Sequence, residues 1–372
     1  MPLFYPPQRF AGYSLSMGLT PKLLRERFGL DYGERFHRDI LYRIETLMEV
    51  DRLVWDSFRE IGLGFREPFP RATIEPFGHR FVPVLYGSPC RYSADEEPAA
   101  VVQRIDPEWL RRLPPWELED LEAMEAVREV ISQSRIARKR YGDLAVLAGR
   151  MPYNPHYQPL SCQQNLGSVI NTAVSLFGQE ALLFYIDDPR ILRAFYRHIT
   201  DLMLLCLNLF SREDGCSPAE LFVGDCTVAM ISPSQYEECN LACDRQLSEY
   251  ARSIGARFLV HQDSGVTPHL ENYARLGYVQ DLDFGQDTDF ERAAELFPGC
   301  CANCILFPSW IASTPVEAMR EELLRVMKRA REFSRFSFSI FEIDPALAEG
   351  KIFEFYELFR QCCESRPVGG EA

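Results

Sequence analysis

Apolar positions change their period along this chain. Between residues 20 and 65 they fall at helical spacing, with Leu41, Ile44, Leu47 and Met48 recurring among charged residues, and predict a helical entry segment. From Arg71 to Tyr92 two short β-prone runs, Ala72-Thr73-Ile74 and Arg80-Phe81-Val82-Pro83-Val84-Leu85, flank Gly78 and predict a β-hairpin laid against the main body. Asp95-Glu96-Glu97-Pro98 and Leu113-Pro114-Pro115-Trp116 read as surface connections.

Beyond residue 117 the pattern alternates. A helix to Tyr141, a strand at Leu144 to Leu147, a helix at Ser168 to Leu176 and another opened by Asp187-Asp188-Pro189 lead to strands at Leu221 to Val223, Arg257 to Val260, Val279 to Leu282, Asn303 to Phe307 and Phe336 to Phe341. Helices opening at Ser232-Pro233, Pro268, Phe290 and Pro315 lie between them. So many strand and helix units in one run favour an α/β fold of the closed (β/α)8 TIM barrel kind over an open doubly wound sheet. The whole chain, 1–372, reads as a single domain, with 1–116 a helical and hairpin extension packed on a barrel of 117–372. No glycine-rich phosphate loop follows any of the strands, which removes the main support for a nucleotide-binding alternative.

Composition narrows the partners. Forty Lys and Arg against 54 Asp and Glu give a net charge of -14, which repels a phosphate backbone and an anionic membrane surface. The start, Met1-Pro2-Leu3-Phe4-Tyr5-Pro6-Pro7, has no basic segment followed by an apolar one, and no run approaches about 18 apolar residues. The expectation is a cytoplasmic protein with neither nucleic acid nor membrane as partner, whose 12 cysteines are buried thiols, ligands or reactive groups rather than disulfides.

In a barrel the chemistry sits where strands end. The most pointed end is Phe258-Leu259-Val260-His261-Gln262-Asp263-Ser264-Gly265, an apolar strand running into an imidazole and a carboxylate two residues apart, as a metal ion or a proton-transfer site requires. His261 as a core histidine and Asp263 as a turn cap are the plainer alternatives. Gly224-Asp225-Cys226 follows the preceding strand, which makes Asp225 a candidate acid or base and Cys226 a further candidate ligand; Asp283 and Asp287 follow the next. Asn303 and Cys304 open the strand after that, and Glu342 and Asp344 close the last. Cys300-Cys301-x-x-Cys304 and the Cys239, Cys243 pair form a rival ligand set, read mainly as buried thiols. Tyr153, Tyr157, Trp310 and Phe341 are candidates for the wall of a pocket for a planar substrate.

Several short motifs in a fixed order carry a resemblance. They are Gln179-Glu180-Ala181-Leu182-Leu183 with Asp187-Asp188-Pro189, Gly224-Asp225 before Ile231-Ser232-Pro233 and Tyr236-Glu237-Glu238, His261 with Gly265, and Asn303 ahead of Ser313-Thr314-Pro315-Val316-Glu317. Over roughly residues 155 to 345 the chain resembles the uroporphyrinogen decarboxylase superfamily, which includes zinc-dependent methyltransferases that work with corrinoid proteins. The family fold is a (β/α)8 barrel with an N-terminal helical extension. The decarboxylases' arginine-rich opening is met here only by Gln8-Arg9-Phe10-Ala11-Gly12-Tyr13, which lacks the second arginine, so haem biosynthesis is disfavoured. The methyltransferase branch has His-x-Cys after the strand and a later Cys; this chain has Asp263 at the first cysteine position and, by spacing to Pro345, Glu342 at the second.

The resemblance implies a methyltransferase that moves a methyl group between a small methylated substrate, a methyl ether among the options, and a corrinoid protein, with zinc as Lewis acid. His261, Asp263 and Glu342 would hold the zinc, Cys226 would be a secondary ligand, Asp225 would orient the metal shell or handle a proton, and Tyr153, Tyr157, Asn303 and Trp310 would meet the substrate. No Asp-x-His-x-x-Gly signature surrounds any of the six histidines, so the corrinoid would arrive on a partner. A metal-free lyase using Asp225, and a catalytically silent binding protein, are the alternatives.

Overall fold

The computed structural model describes residues 3–71, 73–142, 167–347 and 349–364. The N-terminal residues form three strands, β1 (Leu3–Phe4), β2 (Gln8–Phe10) and β3 (Tyr13–Leu19), and two short ones follow, β4 (Cys90–Arg91) and β5 (Ala99–Ala100). The second half supplies β6 (Glu220–Gly224), β7 (Arg257–Gln262), β8 (Asp281–Gly285), β9 (Cys301–Ile305) and β10 (Arg335–Ile343). One sheet runs β1-β3-β10-β9-β8-β7-β6, with β2 also on β3. Its six strands from β3 to β6 are parallel, and β1 and β2 pair with β3 in the antiparallel sense.

This is a curled half-barrel; among the described residues no strand joins β6 back to β3, so closure of the expected (β/α)8 barrel is not seen. The strand expected at Leu144 to Leu147 lies outside the described residues. The six parallel strands include one that the spacing left unread. Tyr13-Ser14-Leu15-Ser16-Met17-Gly18-Leu19 alternates, and Leu15, Met17 and Leu19 enter the core while β3 pairs along β10.

The expected hairpin at 71–92 is replaced by the 3-10 turn Gly78–Arg80 and the helix Phe81–Leu85. Phe81, Val82, Pro83 and Leu85 are buried together, and a short apolar run enclosed on all sides carries no period that separates strand from helix. Among the described residues the paired extended backbone here is the two-residue β4, with Cys90 opposite Ala100 of β5.

The helices form where caps permit them. Ser168 caps Val169–Phe177, Asp188 followed by Pro189 caps Pro189–Asp214, and Ser232 with Gln235 makes a capping box for Pro233–Cys239. A C-terminal helix, Glu349–Glu364, covers the far side of β10, where Phe359 packs edge-on against Phe338 at 5.1 Å. No single helix among the described residues is long and apolar enough to cross a membrane.

Candidate metal centre and its cavity

Parallel pairing places one residue of each strand in the same layer. Gly224 on β6 lies opposite His261 on β7, His261 opposite Asp283 on β8, Asp283 opposite Asn303 on β9, and Asn303 opposite Ser337 on β10. These side chains face the concave side, whereas Leu282, Phe284, Ala302 and Cys304, offset by one residue, are buried on the other side with the core. The concave layer is a hydrogen-bonded chain. Asp283 accepts from His261 Nδ1 at 2.5 Å and from Asn303 Nδ2, which also donates to Ser339 Oγ at 2.7 Å, while Ser337 donates to Asn303 Oδ1 at 3.0 Å.

His261 therefore emerges from the strand with one nitrogen already committed. Its other nitrogen, Nε2, lies 2.9 Å from Asp263 Oδ1, and its ring stacks on Phe341 with centroids 5.5 Å apart. Burial works against a charged imidazole here, but the carboxylates of Asp283 and Asp263 outweigh it and hold the pKa well above the ordinary histidine value. Partial burial pulls Asp263 upward, and the imidazolium reverses this to about 2. Asp263 keeps 53% of its side chain exposed, so water screens that contact more than the one to Asp283, which is fully buried.

Cys226 completes the group. Its Sγ, a nitrogen of His261 and a carboxylate oxygen of Asp263 lie within 4.8 Å of one another. Burial raises the Cys226 thiol above its ordinary value, and His261 offsets part of that rise. The turn that carries Cys226 is clamped: Asn171 Nδ2 donates to Gly224 O at 2.6 Å, Thr227 N donates to Asn171 Oδ1 at 3.0 Å, and Asp225 N donates to His261 O at 2.8 Å. The turn that carries Asp263 crosses the end of β8 so closely that a Cβ on Gly285 would sit 2.6 Å from Asp263 O.

The three groups open on a cavity of about 420 Å³, lined also by Phe4, Phe222, Phe307, Phe341, Arg80 and Glu342 among the described residues. A thiol, an imidazole and a carboxylate within one ion's reach, with a carboxylate behind the imidazole, are a donor set that fits zinc.

The remaining expected site residues spread out. Glu342 is in β10 and lines the same cavity, outside the three-residue cluster; burial and then nearby Asp263 raise its pKa. Asp225 points away from the cavity into the core, accepting from Tyr273 OH at 3.2 Å; burial lifts its pKa to about 6 against the hydrogen bonds from Ser168 and Tyr273. Asn303 is 1% exposed and reaches His261 through Asp283. Trp310 packs edge-on against Phe355 at 6.5 Å, behind Phe307 and Pro308, which line the cavity instead. Tyr153 and Tyr157 lie outside the described residues. Of the rival cysteines, Cys239, Cys243 and Cys300 are buried, which pushes their thiols up to about 11, 12 and 11. The sequence reading did not give Asp283, Asn171 or Arg80 a role. The repeated acid in the otherwise apolar Asp281-Leu282-Asp283-Phe284 was the available signal for the first of these.

A solved structure, a methyltransferase from Methanosarcina mazei, is similar over 96% of this chain and 94% of its own, with a TM-score of 0.55 and 12% sequence identity. That likeness concerns the fold. No family model and no curated protein matches the sequence.

Proposed function

We propose that the protein is a methyltransferase that binds zinc through Cys226, His261 and Asp263 and moves a methyl group between a small methylated substrate, such as a methyl ether, and a corrinoid carried by a separate protein. The observation that carries this reading is the convergence of those three donor atoms within 4.8 Å at the wall of a cavity of about 420 Å³. The fold likeness to a methyltransferase agrees with it.

Zinc bound there supplies a Lewis acid for the heteroatom that bears the methyl group. The chain's own residues do the rest. Asp283 fixes the ring of His261 and favours a proton on Nδ1, which leaves Nε2 to face the cavity once the contact with Asp263 is exchanged for an ion. Asn303 and the serines of β10 hold Asp283 in turn. Phe4, Phe222, Phe307 and Phe341 keep water from the substrate's apolar body. Glu342, at the same cavity, is placed to join the donor set or to take a proton.

Elemental analysis of protein purified without chelators tests the reading: about one zinc per chain is expected. His261→Ala should abolish both zinc and methyl transfer while the chain stays folded, because the sheet does not depend on that side chain for its core. Unchanged zinc in that variant would overturn the ligand assignment. A second reading has its own support, since His261 lies at the cavity wall between two carboxylates that raise its pKa and favour its protonated form. Absence of zinc after reconstitution, with His261 still required for turnover, would favour a metal-free lyase with His261 as its acid in place of Asp225, the acid or base expected from the sequence, which does not line the cavity.

A further inference from the structure

Arg80 is a cation that the cluster does not explain. It ends the 3-10 turn Gly78–Arg80, lines the same cavity as Cys226, His261 and Asp263, and donates from Nη1 to Ser175 Oγ at 2.9 Å. Ser175 belongs to the helix Val169–Phe177, whose Asn171 clamps the Cys226 turn, so one helix fixes both the cation and the cluster. Elsewhere this chain gives its sheltered guanidinium groups a carboxylate. Arg43 has Glu75 at 3.7 Å, Arg71 has Asp51 at 2.8 Å and Arg138 has Asp214 at 2.7 Å. Among the described residues no carboxylate lies within ion-pair distance of Arg80, although Glu97 lines the same cavity next to the Gly78–Arg80 turn.

A guanidinium has five N–H donors and stays charged in proteins. Removing one from water without a counter-ion costs free energy, and burial draws its pKa below the ordinary arginine value. A ligand oxyanion would relieve that cost. The rest of the wall constrains the ligand further. Phe222, Phe307 and Phe341 demand an apolar body, and Asp263 and Glu342 repel an anion from the cluster's side.

We infer that Arg80, braced by Ser175, is the oxyanion-binding subsite of this cavity, so that the substrate carries a carboxylate at one end and its methylated heteroatom at the other. The inference rests on reading the cavity as the substrate site. Arg80 is a specificity group in this scheme; it binds and orients, and it takes no part in bond breaking.

Benzoate and benzamide, which share a shape and differ in charge, are the probes. Calorimetric titration of the zinc-loaded wild type should show benzoate binding at least about tenfold more tightly, as expected for a bidentate contact between guanidinium and carboxylate. The preference should vanish in Arg80→Gln, survive weakened in Arg80→Lys, and persist in His261→Ala. If Arg80→Gln fails to fold, as its melting curve would show, the wild-type comparison and the lysine variant decide. Equal binding of the two probes by the wild type, undetectable binding of both, or a preference retained in Arg80→Gln overturns the subsite. A preference that disappears in His261→Ala and persists in Arg80→Gln places the anion on the metal, overturning the Arg80 assignment and leaving the zinc reading intact. A preference that follows Arg80 in protein that takes up no zinc upholds the subsite and removes the metal.

Discussion

Asp283→Asn isolates the contribution of the buried carboxylate behind His261. Asp283 accepts two hydrogen bonds, from His261 Nδ1 and from Asn303 Nδ2. An asparagine has a single acceptor atom, so its NH₂ must face one of those donors. If its oxygen keeps Asn303, its NH₂ opposes His261 Nδ1 and drives the ring's proton to Nε2, the nitrogen that would face the ion. A hydrogen bond to a charged group contributes about 1.5–3 kcal/mol. With about 1.4 kcal/mol to a factor of ten, zinc affinity should fall roughly ten- to hundredfold, in line with other groups that orient a metal-bound histidine. Competition against a chromophoric chelator measures this directly. A thermal melt run alongside should register a loss of about 1–3 kcal/mol from one poorly matched buried contact. Wild-type zinc affinity in a folded Asp283→Asn protein would refute the reasoning, and if His261→Ala had meanwhile lost its zinc, the fault would lie with the role given to Asp283 alone.

Three further outcomes are expected. Glu220, buried at the start of β6, has its pKa raised to about 7 by burial and then by nearby Asp281, partly offset by Arg257. Because the folded value exceeds the ordinary one, its contribution to stability is complete below about pH 4.5 and is lost as pH rises through about 7, so Glu220→Gln should exceed the wild type by up to roughly 3 kcal/mol at pH 8 and match it near pH 4 in denaturant titrations. Gly285→Ala should displace the Asp263 turn, costing about 1–3 kcal/mol of stability and weakening zinc binding; a variant with wild-type melting and zinc affinity would contradict the close approach. Asp51→Ala strips both Arg71 and Tyr5 of their buried partner, at 2.8 and 3.0 Å, and should cost about 3–5 kcal/mol in urea unfolding.

The alternating half of the fold was legible because its strands are short apolar runs bounded by helix caps that the residues announce, such as Asp188-Pro189 and Ser232-Pro233. Register was harder. Reading β8 as Val279 to Leu282 and β9 as Asn303 to Phe307 put Asp283 after its strand and Asn303 at the start of its own, whereas both lie mid-strand and touch each other. A shift of two residues keeps the face but moves a side chain along the sheet by one layer, and periodicity alone cannot fix that. His261 and Asp263 were readable because they sit at a strand end in a two-residue motif. Cys226 was readable as a secondary candidate from its place directly after Asp225, and the fold raised it to a full member of the cluster ahead of Glu342. Arg80 was hidden by the expected hairpin, which enclosed it in a strand when it ends a 3-10 turn facing the cavity.

Strand β3 has a consequence for biosynthesis. Its parallel neighbour is β10, with Ser14 opposite Ser337 about 320 residues later in the chain. At ribosomal rates of about 5–20 residues per second, β3 waits roughly 15–60 s for the strand that will cover it. During that interval Leu15, Met17 and Leu19 belong to an uncovered strand edge, the kind of surface that invites pairing with another chain. β3 is thus made about 320 residues before the strand that buries its edge, and the nascent chain carries that hazard until β10 follows.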